Sequence, residues 1–133
     1  MDNDYKLIKD IKFGMNAINL IIREASSDDL KILLLKQYYR YEELLSKLNK
    51  YRYINYCVPF YNKLMMFFSI KSRFVAKKSD SMVSELMIKG YNIGIINGRK
   101  LINSGKLNFK LNNITKLFIN IQEVNIKELN KYL

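Results

Sequence analysis

The sequence contains no histidine and no tryptophan, and it has one cysteine and one proline among its 133 residues. Without histidine there is no Ser-His-Asp or Cys-His nucleophile pair, no imidazole acid or base near neutral pH, and no His-ligated zinc or iron. The single Cys57 excludes an intramolecular disulfide and a thiolate metal cage, and it fits a reducing compartment. Among enzymes, only a carboxylate-based or lysine-based one stays open.

Several segment types are missing as well. No apolar run approaches the roughly 18 residues of a membrane-spanning helix, so we expect no transmembrane segment. The N-terminus lacks the basic-then-apolar order of a signal peptide. Neither G-x-x-x-x-G-K-[ST] nor G-x-G-x-x-G occurs, so the usual phosphate-binding loops are absent. Together these absences predict a cytoplasmic protein without a nucleotide-binding motif.

The formal net charge is +11, and it has two explanations. The functional explanation is attraction to nucleic acid or to an anionic membrane. The other is codon usage, because Lys, Asn, Ile and Tyr are all abundant here and all have A/T-rich codons. The sequence alone leaves both open.

Apolar residues recur at steps of three and four along most of the chain, as in Ile8, Ile11 and Met15. This spacing predicts amphipathic helices, and no strand-like alternation competes with it. The linkers are short, which favours antiparallel neighbours. We therefore predict an all-α fold in a single domain over 1–133, an up-down four-helix bundle with main helices near 4–25, 27–56, 80–103 and 112–132 and an additional amphipathic helix near 59–77.

Capping signals set the predicted helix ends. Residues 26–29 (Ser-Ser-Asp-Asp) end the first helix and begin the second, and Ser79 begins the third main helix. Gly105 can adopt the left-handed conformation that ends it. Asn112 or Asn113 is predicted to cap the last helix.

Gly90, Gly94 and Gly98 form a row at spacing four inside the third main helix. Each glycine in a helix interior costs about 1 kcal/mol relative to alanine, so the row needs a compensating benefit. Close approach of a facing helix is the favoured explanation, and room for a ligand is the alternative. Two inward tyrosines, Tyr38 and Tyr41, also need hydroxyl partners, for which the candidates are Gln37, Asn97, Gln122 and Glu85.

Glutamates occur in all four predicted main helices, which invites comparison with a di-iron site. A ferritin-like centre uses Glu-x-x-His on two helices. Here the residues three positions after each glutamate include Ser27, Leu45, Ile88 and Lys131, none of which replaces imidazole. We therefore predict no metal site and no cofactor.

Residues 44–79 contain no Asp or Glu. Tyrosines and phenylalanines are interleaved there with eight basic side chains, a mixture that suits single-stranded nucleic acid or, less favourably, an anionic membrane surface. The candidate polyanion contacts are Lys47, Lys50, Arg52, Lys63, Lys71, Arg73, Lys77 and Lys78. The competing explanation is a solvated basic face on a helix whose other face packs against the bundle.

The predicted helix at 59–77 carries more apolar surface than a four-helix bundle of this size needs. Its candidate interface residues are Phe60, Leu64, Phe67, Phe68 and Phe74. Because two-fold symmetric contacts are the commonest oligomeric arrangement, these residues favour a homodimer.

Five segments carry a family resemblance, namely Leu7–Ile11, Gly14–Ile18, Tyr41–Glu43, Ser84–Ile96 and Glu123–Leu129. With these segments the chain resembles a family of small, uncharacterised bacterial proteins with a ferritin-like four-helix bundle, found in clostridia and related Firmicutes. The resemblance spans nearly the whole chain. It implies a ferritin-like fold rather than a reaction. Many relatives have a histidine at the position of Met82, so its absence here weakens any metal role further.

These observations favour a non-catalytic structural or interaction protein that associates with itself. The first alternative is a nucleic-acid-binding protein that uses the surface from Lys47 to Lys78. The second is a degenerate ferritin-like metalloprotein.

Overall fold

The computed structural model describes residues 3–48 and 78–133, and every regular element in those two ranges is helical. The four α-helices are α1 (Asn3–Ile21), α2 (Asp28–Ser46), α3 (Asp80–Asn103) and α4 (Phe109–Leu129). Short 3-10 helices, Ile22–Glu24 and Asn130–Tyr132, follow α1 and α4. The all-α prediction is confirmed for this part of the chain. No helix in it is long and apolar enough to cross a membrane.

The bounds of α3 agree with the predicted helix at 80–103. The Ser79 hydroxyl accepts a hydrogen bond from the Met82 backbone N–H at 3.1 Å, so Ser79 is the N-cap. Gly105 follows the helix with φ at +69°, the left-handed conformation in which a side chain would be strained.

The ends of the remaining helices differ from the predictions. α1 ends at Ile21 rather than at 25 and α4 at Leu129 rather than at 132, and a 3-10 helix follows each. α2 ends at Ser46 rather than near Tyr56, because the Lys47 N–H turns back to the carbonyls of Leu44 and Leu45. α4 begins at Phe109 rather than at 112, because the Asn108 side chain accepts from the Leu111 N–H at 2.8 Å. Residues 49–56 and the predicted helix at 59–77 lie outside the described ranges.

The start of α3 lies beside the turn that joins α1 to α2. The Ser79 N–H donates to the Glu24 carbonyl at 3.1 Å, and the Ser26 N–H donates to Asp80 Oδ1 at 2.7 Å. α2 and α3 therefore begin at the same end of the bundle and run in the same direction. The predicted up-down order holds within the α1–α2 and α3–α4 hairpins but not from α2 to α3.

The apolar faces of the helices meet in one core. α1 lies between α2 and α3, and α3 packs most extensively against α4. The largest fully buried side chains include Tyr41, Tyr91, Phe118, Leu7, Ile8 and Ile11. Two of these are tyrosines, so the core also has to accommodate their hydroxyl groups.

Candidate functional site: a buried polar layer and a basic end

A layer of polar side chains crosses the core at mid-height. The Tyr41 hydroxyl donates to Gln122 Oε1, which joins α2 to α4. The Tyr91 hydroxyl donates to Gln37 Oε1 at 2.6 Å, which joins α3 to α2. Gln122 is one of the partners predicted for the inward tyrosines. Because these bonds connect three helices, the layer fixes their relative register.

Burial governs the chemistry of both phenols. It raises the pKa of Tyr41 and of Tyr91 well above the ordinary value, and the neighbouring Tyr91 phenol raises the pKa of Tyr41 further. Both hydroxyls therefore stay protonated at neutral pH and act as hydrogen-bond donors. Tyr91 was missed in the sequence analysis, although it lies on the same helical stripe as Met87 and Gly94.

An ion pair closes the layer on the side where α2 faces α4. Arg40 Nη2 donates to Glu128 Oε2 at 2.9 Å, and its Nη1 donates to Asn125 Oδ1 at 2.7 Å. The Arg40 hydrogen bond holds the pKa of Glu128 below its usual value. Gln37 Nε2 completes the arrangement with bonds of 3.3 Å to the Asn125 carbonyl and to Glu128.

The three glycines of α3 have different surroundings. A Cβ added at Gly94 would come within 2.6 Å of Gln122 Nε2, and one added at Gly98 within 2.7 Å of Ile119 Cγ1. A Cβ at Gly90 would meet nothing within 4 Å. Gly94 and Gly98 therefore seat side chains of α4, whereas Gly90 does not. Gly14 on α1, to which the sequence analysis assigned no role, likewise lies against Tyr41, since a Cβ added there would come within 2.8 Å of the Tyr41 ring.

A groove of about 460 Å³ runs between the first half of α1 and the last half of α3. Its charged lining consists of Lys6, Lys9, Lys100 and the largely buried Asp10. Burial raises the pKa of Asp10 to about 6, against the opposing effects of Asn97 and Lys9. Asn97 Nδ2 lies 3.4 Å from Asp10 Oδ1. The groove thus carries a surplus of positive charge.

The same end of the molecule holds the turn between α3 and α4. Because Asn3 and Ser104 both line the groove, the start of α1 and the end of α3 lie together. We call this region the basic end and define it by six exposed side chains, Lys6, Lys100, Lys106, Phe109, Lys110 and Lys116. The sequence signal for it is that residues 86–122 contain no Asp or Glu, a second acid-free stretch that the sequence analysis overlooked.

Two of the predicted polyanion contacts fall in the described ranges. Lys47 is exposed just after α2 and lines a shallow groove with Leu117 and Asn120 of α4. Lys78 is exposed just before α3, at the end of the bundle where α2 and α3 begin, whereas Lys47 lies where α2 ends. The structure therefore does not bring these two lysines together. The other predicted contacts, and all five predicted interface residues, lie outside the described ranges.

The acidic side chains of the described helices are dispersed. Glu123 pairs with Arg99 at 2.9 Å, and Glu85 lies 3.5 Å from Lys89. Within residues 3–48 and 78–133, no group of three acidic, cysteine or histidine side chains could hold a metal ion. Several of the carboxylates there pair with basic side chains or accept from backbone N–H groups, as Glu123, Glu85 and Asp80 do.

Comparison of the chain with known protein families, curated proteins and solved structures finds no match.

Proposed function

We propose that this chain is a non-catalytic binding protein, a helical bundle whose interior holds the helices in register and whose surface contacts a partner. The observation that carries this proposal is the buried polar layer. Its phenols, the Gln37 and Gln122 amides and an ion pair bond to one another between helices, through Tyr41–Gln122, Tyr91–Gln37 and Arg40–Glu128. Groups engaged in this way stabilise the bundle and leave recognition to the surface.

We propose that one such contact is self-association as a homodimer. The predicted interface at 59–77 supports this, and so does a row of exposed apolar side chains on α2 at steps of three and four. That row consists of Ile32, Leu35 and Tyr39, which are 64%, 46% and 61% exposed. Exposed apolar rows of this kind favour contact with another surface.

Sedimentation velocity of the full chain, from about 10 µM to about 200 µM, tests the dimer and should show a concentration-dependent shift towards twice the monomer mass. Phe67→Asp with Phe74→Asp should yield a helical monomer. Ile32→Asp with Tyr39→Asp should weaken the dimer as well, because the α2 row is part of the proposed contact. Ile93→Asp with Ile96→Asp, exposed on α3, is the matched control and should leave the dimer intact. Dissociation by the control alone would contradict the proposed contact, and a monomeric parent at every concentration would contradict self-association.

We also propose that the bundle has a ferritin-like fold, and a degenerate ferritin-like metalloprotein is the alternative function that this fold raises. α2 and α3 begin at the same end, which supports the single-crossover connectivity of ferritin-like bundles. Elemental analysis of protein expressed with added iron or manganese should find far less than one ion per chain. A stoichiometric ion that is lost on Glu85→Gln or Glu123→Gln would instead favour the metalloprotein.

Nucleic-acid binding is the other candidate function, within a cytoplasmic location. The net charge of +11 supports it. Its test is the salt dependence of oligonucleotide affinity, because phosphate contacts release counterions and so give a steep slope.

A further inference from the structure

The charges of the described helices are unevenly distributed along the bundle. The acidic residues near the α1–α2 turn and the start of α3 include Glu24, Asp28, Asp29, Asp80 and Glu85. At the opposite end, the α3–α4 hairpin carries no acid between Glu85 and Glu123. Positive charge is therefore concentrated at the basic end.

The lysines of the basic end are available to a ligand. Among the described residues, Lys100, Lys106, Lys110 and Lys116 form no ion pair, in contrast to Arg99 and Lys89. Lys110 lies in the first turn of α4, where no acid is present and where a positive charge is opposed by the helix dipole. A sequence selected for stability alone would favour an acid there. The charge at this position is better explained by an anionic partner.

One aromatic side chain stands among these lysines. Phe109 is 83% exposed, the most exposed large apolar residue of the described ranges. It lies between Lys106 and Lys110 in sequence, directly after the cap of α4. An exposed ring beside several cations suits a ligand with both phosphates and bases, because a base can stack on the ring while the phosphates meet the lysines.

We propose that the basic end binds single-stranded nucleic acid. The phosphates contact Lys100, Lys106, Lys110 and Lys116, the strand continues towards Lys6 along the α1–α3 groove, and one base stacks on Phe109. The inference deepens the proposed function and rests on it in one respect, that the bundle acts through its surface. It differs from the first alternative in location, because the surface lies on the α3–α4 hairpin rather than at 47–78.

The neighbouring side chains favour a single strand over an anionic membrane. Asn103, Ser104, Asn108 and Asn113 lie close to Phe109 in sequence, and all four are polar and exposed, as is Lys106. A membrane-binding helix presents a continuous apolar face instead. Polar amides and hydroxyls beside a lone ring are suited to sugar and phosphate oxygens.

Fluorescence anisotropy of a labelled oligo(dT) or oligo(U), titrated with the full chain at several NaCl concentrations, tests the proposal. The basic-end variant Lys106→Gln/Lys110→Gln/Lys116→Gln should weaken binding about tenfold or more at low salt and reduce the log–log salt slope by about 2, since each phosphate contact contributes about 0.7. The matched control is Lys36→Gln/Lys127→Gln/Lys131→Gln, which removes the same charge from exposed positions away from the basic end. It should change affinity much less.

Phe109→Ala separates stacking from charge. It should weaken binding about 5-fold to 150-fold while leaving the salt slope unchanged, and Phe109→Tyr should restore affinity. Because Phe109 is exposed, thermal unfolding followed by circular dichroism should show that both variants remain folded.

Four results would overturn the inference. The first is the absence of oligonucleotide binding at low salt. The second is an equal loss of affinity in the two lysine variants, which would reflect net charge alone. The third is binding to vesicles containing phosphatidylglycerol, lost on Phe109→Ala, with no effect of that substitution on oligonucleotide affinity. If substitutions at Lys71 and Arg73 abolish binding and those at the basic end do not, the first alternative stands and this inference fails. Self-association is measured separately by sedimentation, so none of these binding results bears on the dimer proposal.

Discussion

Individual side chains in this core have to meet two requirements, the space available for packing and a hydrogen-bond partner for each buried polar group. The Tyr41 ring needs the absence of a Cβ at Gly14, and its hydroxyl needs Gln122, which in turn occupies the space at Gly94. A change at one of these positions therefore displaces the next. This chain of dependence links glycines on α1 and α3 to an amide on α4.

The first prediction concerns the glycines of α3. Gly94→Leu should lower the free energy of unfolding by at least about 1–3 kcal/mol, because its side chain would displace Gln122 and Phe118. Gly90→Ala, where a Cβ meets nothing, should instead raise it by about 0.5–1 kcal/mol. Urea unfolding of both variants measures the difference. A tolerated Gly94→Leu would mean that α4 does not pack closely against this position.

The second prediction concerns Asp10, whose pKa burial raises to about 6 from 3.8. Because the folded state binds the Asp10 proton more tightly than the unfolded state, this carboxyl lowers stability as pH rises from about 4 to about 6. Asp10→Asn should therefore stabilise the protein by about 1–3 kcal/mol at pH 8. Its Oδ1 can still accept from Asn97.

Urea unfolding at pH 4 and at pH 8 checks the sign of this effect. The gain from Asp10→Asn should be nearly absent at the lower pH, where the wild-type carboxyl is already protonated in the folded state. An equal gain at both pH values would show that ionisation of Asp10 is not its cause.

The sequence predicted single residues well where one physical rule decides them. Gly105 takes the left-handed conformation that the end of α3 requires, and Tyr41 finds one of its predicted partners. Gly90 belonged to the glycine row by spacing alone, but spacing does not show which side of a helix another helix covers. Tyr91 was missed for a similar reason, since its partner Gln37 is distant in sequence.

At the scale of the helices, existence and type were predictable and some ends were not. Periodicity identifies α1 to α4 because each has to bury one face. The end of α2 depends instead on a local turn at Lys47 that apolar spacing does not encode. The direction of α3 relative to α2 depends on bonds from Ser26 and Ser27 to Asp80, which involve residues far apart in the chain.

The third prediction tests the start of α4. Asn108→Ala should lower the free energy of unfolding by about 1 kcal/mol, because the Leu111 N–H loses its acceptor. Asn113→Ala is the matched control, since Asn113 is exposed within the helix and alanine has the higher helix propensity. Thermal or urea unfolding should rank Asn108→Ala below the parent and Asn113→Ala at or above it. The reverse order would place the cap at the asparagines favoured by the sequence.

For the whole molecule, the excess of positive charge both opposes folding and provides for binding. With a net charge of +11, the basic side chains repel one another in the folded state and lower its stability. This repulsion is strongest where lysines lie close together without acidic neighbours. The sequence revealed the excess but not its location. The first acid-free stretch lies largely outside the described ranges, and the second forms the basic end together with Lys6 because the start of α1 lies beside the end of α3.

The last prediction follows from this opposition between stability and binding. Lys106→Gln/Lys110→Gln/Lys116→Gln should raise the free energy of unfolding at low ionic strength by about 0.5–1.5 kcal/mol, because it relieves repulsion at the basic end and removes a cation from the start of α4. At about 1 M NaCl the Debye length falls to about 3 Å, so most of the gain should disappear. The control Lys36→Gln/Lys127→Gln/Lys131→Gln should gain less, because acids such as Glu128 lie near these positions. Urea unfolding of the three proteins at low and high salt measures the effect. A basic-end variant that is less stable than the parent at low salt would show that these lysines stabilise the fold, which would contradict the prediction.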